Sequence, residues 1–277
     1  MIASSLLKSF DSLSSKKRCL YYRRKLLEIS QTVQALHMGG ALSVIEILDF
    51  IYYKFIIPTL ANQNPNIFLM SKGHSCIAQY ILLESVGIIK KKDLDLYCKP
   101  NGKLGCHPDY GTPGIEASTG SLGHGMGLSV GIALANKIKN IKSSVFLIIS
   151  DGELQEGSTW ESMMMAANLE LDNLICFLDH NGSQSFGSTK VTHPKFYPIN
   201  KKVSAFNWDC IEVNGHNTNE INKKINIFMK KKQKKPLFVI CNTVKGKGIK
   251  FMENKPVWHY RSPNPDEYKT AIKNLKL

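Results

Sequence analysis

Short apolar runs rich in Val, Ile, Leu and Phe recur along the chain at Ile67–Met70, Val145–Ser150, Leu174–Asp179, Trp208–Val213 and Leu237–Val244. Those at 145 and 174 are continuous rather than alternating, the pattern of strands buried on both faces in a parallel sheet. Between the runs the apolar period lengthens to that of helices. Residues 2–36 carry Leu20, Leu27, Ile29, Val33 and Leu36 opposite Arg18, Arg23, Arg24, Lys25 and Glu28, which predicts an amphipathic helix ended by Gly39 and Gly40. Ser43 with Glu46 three residues on reads as a capping box opening a helix through Phe55. Further helices are predicted at Cys76–Val86, Ser121–Lys139, Ser158–Leu169 and Asn217–Lys230. Such alternation predicts an α/β fold, a parallel sheet with helices on both faces. No repeat or linker interrupts it, so residues 1–277 are expected to form a single domain. Residues 97–121 are dense in Pro and Gly and leave little room for regular structure. A loop of that length in a compact domain is usually functional or disordered.

The runs at 145 and 174 break off at an acidic residue followed closely by Gly: Ser150-Asp151-Gly152 and Asp179-His180-Asn181-Gly182. In open α/β sheets ligands bind beyond the carboxyl ends of the strands. Asp151 and Asn181 therefore offer two hard oxygens side by side, to which the main-chain carbonyl of Ser183 adds a third. Such a set suits Mg2+, with Ca2+ or Mn2+ as alternatives. Mg2+ held by so few protein groups completes its shell with water and phosphate oxygens, which implies a diphosphate ligand. Gly152 lets the backbone approach it. An Asp-Gly pair alone is better explained by a turn after a core strand.

Bulk properties narrow the picture further. The length allows one large domain or two, and 43% hydrophobic residues is ordinary for a globular protein. No apolar run nears the ~20 residues of a membrane helix, and the first residues do not read as a signal peptide, so a cytoplasmic protein without membrane attachment is expected. Seven scattered Cys with no C-x2-C pair read as free thiols. Lys and Arg number 36 against 22 Asp and Glu, but the excess is mostly Lys without interleaved aromatics, so nucleic-acid binding is not expected.

The string Asp151-Gly-Glu-Leu-Gln-Glu-Gly157, Trp160-Glu161, Leu171-Asp-Asn-Leu174 and Asp179-His-Asn-Gly182 resembles the thiamine-diphosphate signature of transketolases. Ser150 stands where that family has the first Gly of its motif and His180 where it has the first Asn; neither change removes Asp151 or Asn181. The resemblance implies the thiamine-diphosphate-binding fold, specifically the diphosphate-binding domain, with thiamine diphosphate and Mg2+ as cofactors. Four histidines stand in matching contexts: Ala35-Leu-His-Met-Gly-Gly40, Ser71-Lys-Gly-His74, Gly105-Cys-His-Pro108 and Trp258-His-Tyr260. By the resemblance, His37, His107 and His259 face the sugar and the reacting carbon, while His74 and His259 approach the cofactor. Gly114–Gly125 resembles the segment that wraps the cofactor, with backbone at Gly120, Ser121 and Leu122 meeting the aminopyrimidine. Gly152 and Asn181 join the cofactor set, and Glu156 is implied to hydrogen-bond a Glu of a partner domain. Lys245-Gly-Lys-Gly248 lacks P-loop spacing and resembles the family's turn leading to His259, with a solvated Lys turn as the equal alternative.

The resemblance runs from about Leu26 to Tyr268 and covers only the N-terminal half of a full-length transketolase. The pyrimidine-binding domain and its activating Glu would come from a C-terminal partner subunit, in an α2β2 heterotetramer acting on sugar phosphates. Three other readings remain at this stage. One is a component of another thiamine-diphosphate enzyme, a 2-oxo acid dehydrogenase or decarboxylase. A second is a basic binding protein without chemistry, and a third is a degenerate inactive subunit.

Overall fold

All five apolar runs become strands of one parallel sheet, in the spatial order Ile67–Met70, Val145–Ser150, Leu174–His180, Leu237–Asn242 and Asp209–Asn214. The computed structural model describes Phe10 and residues 12–185, 187–230 and 234–275. In chain order the principal elements begin with α1 (Ser15–Ser30), α2 (Met38–Ser43), α3 (Ile45–Ile51, continued by a π turn at Tyr52–Ile56), β1 (Ile67–Met70) and α4 (Cys76–Ser85). There follow α5 (His124–Ile138), β2 (Val145–Ser150), α6 (Gly157–Asn168), β3 (Leu174–His180) and a small hairpin, β4 (Ser183–Gln184) with β5 (Gly187–Ser188). The chain closes with α7 (Ile199–Ala205), β6 (Asp209–Asn214), α8 (Thr218–Met229), β7 (Leu237–Asn242) and α9 (Pro265–Asn274).

Both faces of the sheet are covered because neighbouring strand residues point to opposite sides. Phe146, Ile148, Ile175, Phe177, Val239 and Cys241 pack under α1, α3, α4 and α8. Val145, Leu147, Ile149, Cys176, Leu178, Phe238 and Ile240 pack under α5, α6 and α7. The register sets Ser150 beside Asp179 and Asp179 beside Cys241, so β2, β3 and β7 end nearly flush. Loops leaving those ends share one edge.

Three local expectations change. The first helix stops at Ser30, and its predicted stretch before residue 10 lies outside the described residues. Gly39 and Gly40 do not stop it; they lie within α2, where a Cβ on Gly39 would come 2.9 Å from the Lys245 side chain and one on Gly40 3.0 Å from Ser75 Oγ. Close approach, not chain reversal, is what those glycines permit. Ser43 caps nothing: its hydroxyl donates to Gly40 O at 3.0 Å and Asp179 Oδ2 at 2.5 Å, while Glu46 pairs with Arg23 at 2.6 Å and His216 at 2.9 Å. Helix α9, opened by the Asn264/Glu267 capping box with Pro265 at its first position, has a sequence signal that the periodic reading passed over.

Candidate active site

Where β2 and β3 end, the two oxygen donors come together. Asp151, 3% exposed, accepts at Oδ1 from His180 Nδ1 and at Oδ2 from the Gly182 N–H, both at 2.6 Å. Asn181 donates through Nδ2 to Asp179 Oδ2 at 3.2 Å, and its Oδ1 accepts the Ser183 N–H at 3.0 Å. Because the Asp179 carboxylate only accepts, it fixes which end of the Asn181 amide is the carbonyl. Ser150, Gly152, Asn181, Ser183 and Gln184 line a cleft of about 470 Å3, with Asp151 immediately behind. Among the described residues no trio of His, Cys, Asp or Glu is placed to hold a metal. A cation here would rely on Asp151, the Asn181 amide and main-chain oxygen, a set that fits a hard ion and no soft one.

Behind Asn181 lies a fully buried ion pair that the local sequence pattern did not announce. Lys72, two residues after β1, donates to Asp179 and, at 3.1 Å, to Gly40 O; both side chains of the pair are 0% exposed. Asp179 also accepts from Ser43 and Thr243. Burial alone would push its carboxyl up, but the Lys72 charge and these hydrogen bonds hold it below its ordinary value.

The four predicted histidines converge in the same cleft. The His37 ring centroid lies 5.2 Å from His74, 6.2 Å from His107 and 5.4 Å from His259. His37 leads into α2 and His74 lies in the turn after β1. His107 sits in the long irregular loop, tied down by Tyr80 OH to its carbonyl at 3.1 Å. Burial, reinforced by neighbouring cationic and imidazole groups, lowers His37 and His259 to about 4 and His74 well below its usual value. These three rings are neutral at neutral pH. Lys245, expected equally as a solvated turn, is 3% exposed and reaches His259 Nδ1 at 3.1 Å and Gln184 O at 3.3 Å. Burial lowers it to about 8, with the Lys72 charge acting the same way. An ammonium donating to His259 Nδ1 leaves Nε2 as the N–H of that ring.

The remaining predicted residues are placed as follows. Gly120 and Leu122 line the cleft, and Ser121 is exposed beside them. Gly120 has φ +140°, and a Cβ there would lie 2.6 Å from His107 Cδ2, so only Gly lets this loop lie against that ring. Glu156 is exposed at the cleft edge just before α6. Glu153, which sequence reasoning missed, is fully buried and accepts from Ser71 Oγ and, at 3.0 Å, from the Gly123 N–H. Burial raises it to about 7 despite those bonds.

A parallel sheet with hard oxygens, neutral imidazoles and a buried lysine at its strand ends defines an α/β domain whose chemistry sits beyond the strands. The family model for the transketolase thiamine diphosphate binding domain matches residues 15–275. One of the subunits of the apulose-4-phosphate transketolase of Actinobacillus succinogenes is 36% identical over 276 residues, covering 97% of this chain and 97% of that protein. One from the 6-deoxy-6-sulfo-D-fructose transketolase of Clostridium sp. is 36% identical over 246 residues, covering 87% and 88% respectively. Campylobacter jejuni transketolase superposes with a TM-score of 0.84 at 26% identity, over 95% of this chain but 43% of that one. The chain belongs to the transketolase family. It spans under half of that full-length transketolase, and nearly the whole of the two relatives that are themselves single components of a larger enzyme.

Proposed function

We propose that this chain is the N-terminal subunit of a two-subunit transketolase, a single thiamine-diphosphate-binding domain moving a two-carbon ketol unit from a ketose phosphate to an aldose phosphate. The observation that carries the reading is the joining of Asp151 to the Asn181–Ser183 turn at a cleft that His37, His107 and His259 also line. Asp151, the Asn181 carbonyl and the Ser183 carbonyl would hold Mg2+; Gly152, His74, Gly120, Ser121, Leu122 and His259 would contact thiamine diphosphate. The bound cofactor supplies a nucleophilic carbon and an electron sink for the cleaved bond. The chain's own groups orient the sugar and move its protons. Neutral His37 accepts a proton from a sugar hydroxyl, and the His259 Nε2–H, set by Lys245, donates to a carbonyl or alkoxide oxygen. Lys245 adds a cation suited to phosphate oxygens.

Glu156, exposed at the rim, fits a contact with the partner's carboxyl. The open cleft fits closure by a C-terminal subunit carrying the pyrimidine-binding domain, in an α2β2 assembly of cytoplasmic, pentose-phosphate-type metabolism. Donors to test are xylulose 5-phosphate, with apulose 4-phosphate and 6-deoxy-6-sulfofructose taken from the relatives' names; ribose 5-phosphate is the first acceptor. The purified chain with thiamine diphosphate and Mg2+ is expected to show no ketol transfer until its C-terminal partner is added. Full activity from the chain alone would refute the division of labour.

A further inference from the structure

We propose that His180 is a positioning residue for the cofactor metal: its ring N–H fixes the Asp151 carboxylate in the orientation that presents an oxygen to the cation. The inference rests on the reading of Asp151 as a metal donor.

The ring is placed for this task by its surroundings. His180 is the last residue of β3, and its carbonyl accepts the Thr243 N–H at 3.0 Å. Its imidazole leans on Tyr197 with ring centroids 5.8 Å apart, and the Tyr197 hydroxyl is itself hydrogen-bonded to Thr189 Oγ1. A ring held from behind delivers Nδ1 to Asp151 Oδ1 at 2.6 Å, with the two side chains 15% and 2% exposed. At the other end Gly182 N–H takes Oδ2 at 2.6 Å. One donor would let the carboxylate turn about its Cβ–Cγ bond; two donors at opposite oxygens stop it. Each oxygen still keeps a lone pair, so the clamp orients Asp151 without consuming its capacity to bind a cation. Hydrogen bonds to a coordinating carboxylate of this kind set metal affinity, typically by 10–100-fold on removal.

The chemistry also says which replacement should work. Asn carries its amide nitrogen the same number of bonds from Cα as His carries Nδ1, so His180→Asn can restore the donor. Gln places its nitrogen one bond further out and cannot keep the same geometry.

The experiment measures Mn2+ binding to the full chain, with thiamine diphosphate present, by electron paramagnetic resonance, alongside thermal unfolding of each variant. His180→Leu is expected to weaken Mn2+ roughly 10–100-fold, His180→Asn to return it near the parental value, and Asp151→Ala to abolish it. If His180→Leu does not fold, the contrast between Asn and Gln at 180 decides: equal affinities overturn the inference. Loss in Asp151→Ala with parental affinity in His180→Leu also overturns it while leaving Asp151 as the metal donor. Parental affinity in Asp151→Ala, or no Mn2+ bound by the parent chain, overturns the metal reading itself and this inference with it.

Discussion

Replacing Lys72 with Met should cost this chain a large part of its stability. The Lys72 ammonium and Asp179 carboxylate are both fully buried, and the methionine chain fills similar volume without the charge. Asp179 would then be left in the interior with only Ser43, Thr243 and Asn181 as donors. Removing one member of a buried pair typically costs about 3–5 kcal/mol, because the other charge is stranded. The three surviving donors place this case near about 3 kcal/mol, a substantial share of a typical total of roughly 5–15 kcal/mol. Urea unfolding of the parent, Lys72→Met, Asp179→Asn and the double variant forms a cycle, and the double variant should recover more than half of either single loss. The pH dependence has a definite sign. Asp179 is held below the ordinary Asp value of 3.8, so its stabilisation is present above that pH and fades as pH falls through the lower folded value. In Lys72→Met that acid-side behaviour should disappear. A Lys72→Met cost under about 1 kcal/mol, the range of exposed pairs, would refute the view that this pair is sealed from water.

Two further outcomes follow from the same electrostatics. His37 and His259 have folded values of about 4, below the ordinary 6.5, so the unfolded chain binds more protons between those limits and stability should rise with pH across that window. Nitrogen NMR of the imidazoles should show both rings neutral at pH 6, and protonated rings there would contradict it. Glu153 has the opposite sign: raised to about 7 from 4.5, it should make stability fall as pH climbs through that interval and level off above it. In metal-free Glu153→Gln, urea unfolding should show that fall removed, and an unchanged slope would mean the carboxyl is already ionised in the fold.

The inner strands β2, β3 and β7 were the most legible part of the sequence, because a parallel strand covered on both faces has almost no polar position to blur its pattern. Asp151, Asn181 and Gly152 were legible for a related reason: a strand end is where an apolar run must meet water or ligand. The four histidines needed the family resemblance, since each taken alone is an ordinary residue. Lys72 was passed over and Lys245 left open because lysine is so rarely buried that it reads as solvated. Their signal was positional: each stands close behind a buried strand, where an ammonium needs partners supplied by other strand ends and loops. For Lys72 one such partner is Asp179, 107 positions away, which no local pattern reveals. Ser43 was misread for the same reason, its hydroxyl committed to Asp179 rather than to its own helix. Gly39 and Gly40 looked like a stop because their true constraint is a neighbour remote in sequence.

One cation is proposed to join the ends of β2 and β3, and crystals grown with Mn2+ and thiamine diphosphate test this directly by anomalous scattering. A single peak touching the Asp151 carboxylate, the Asn181 side-chain carbonyl and the Ser183 main-chain carbonyl is the predicted result. Cofactor bound with no peak there, or a peak held by other residues, would contradict it.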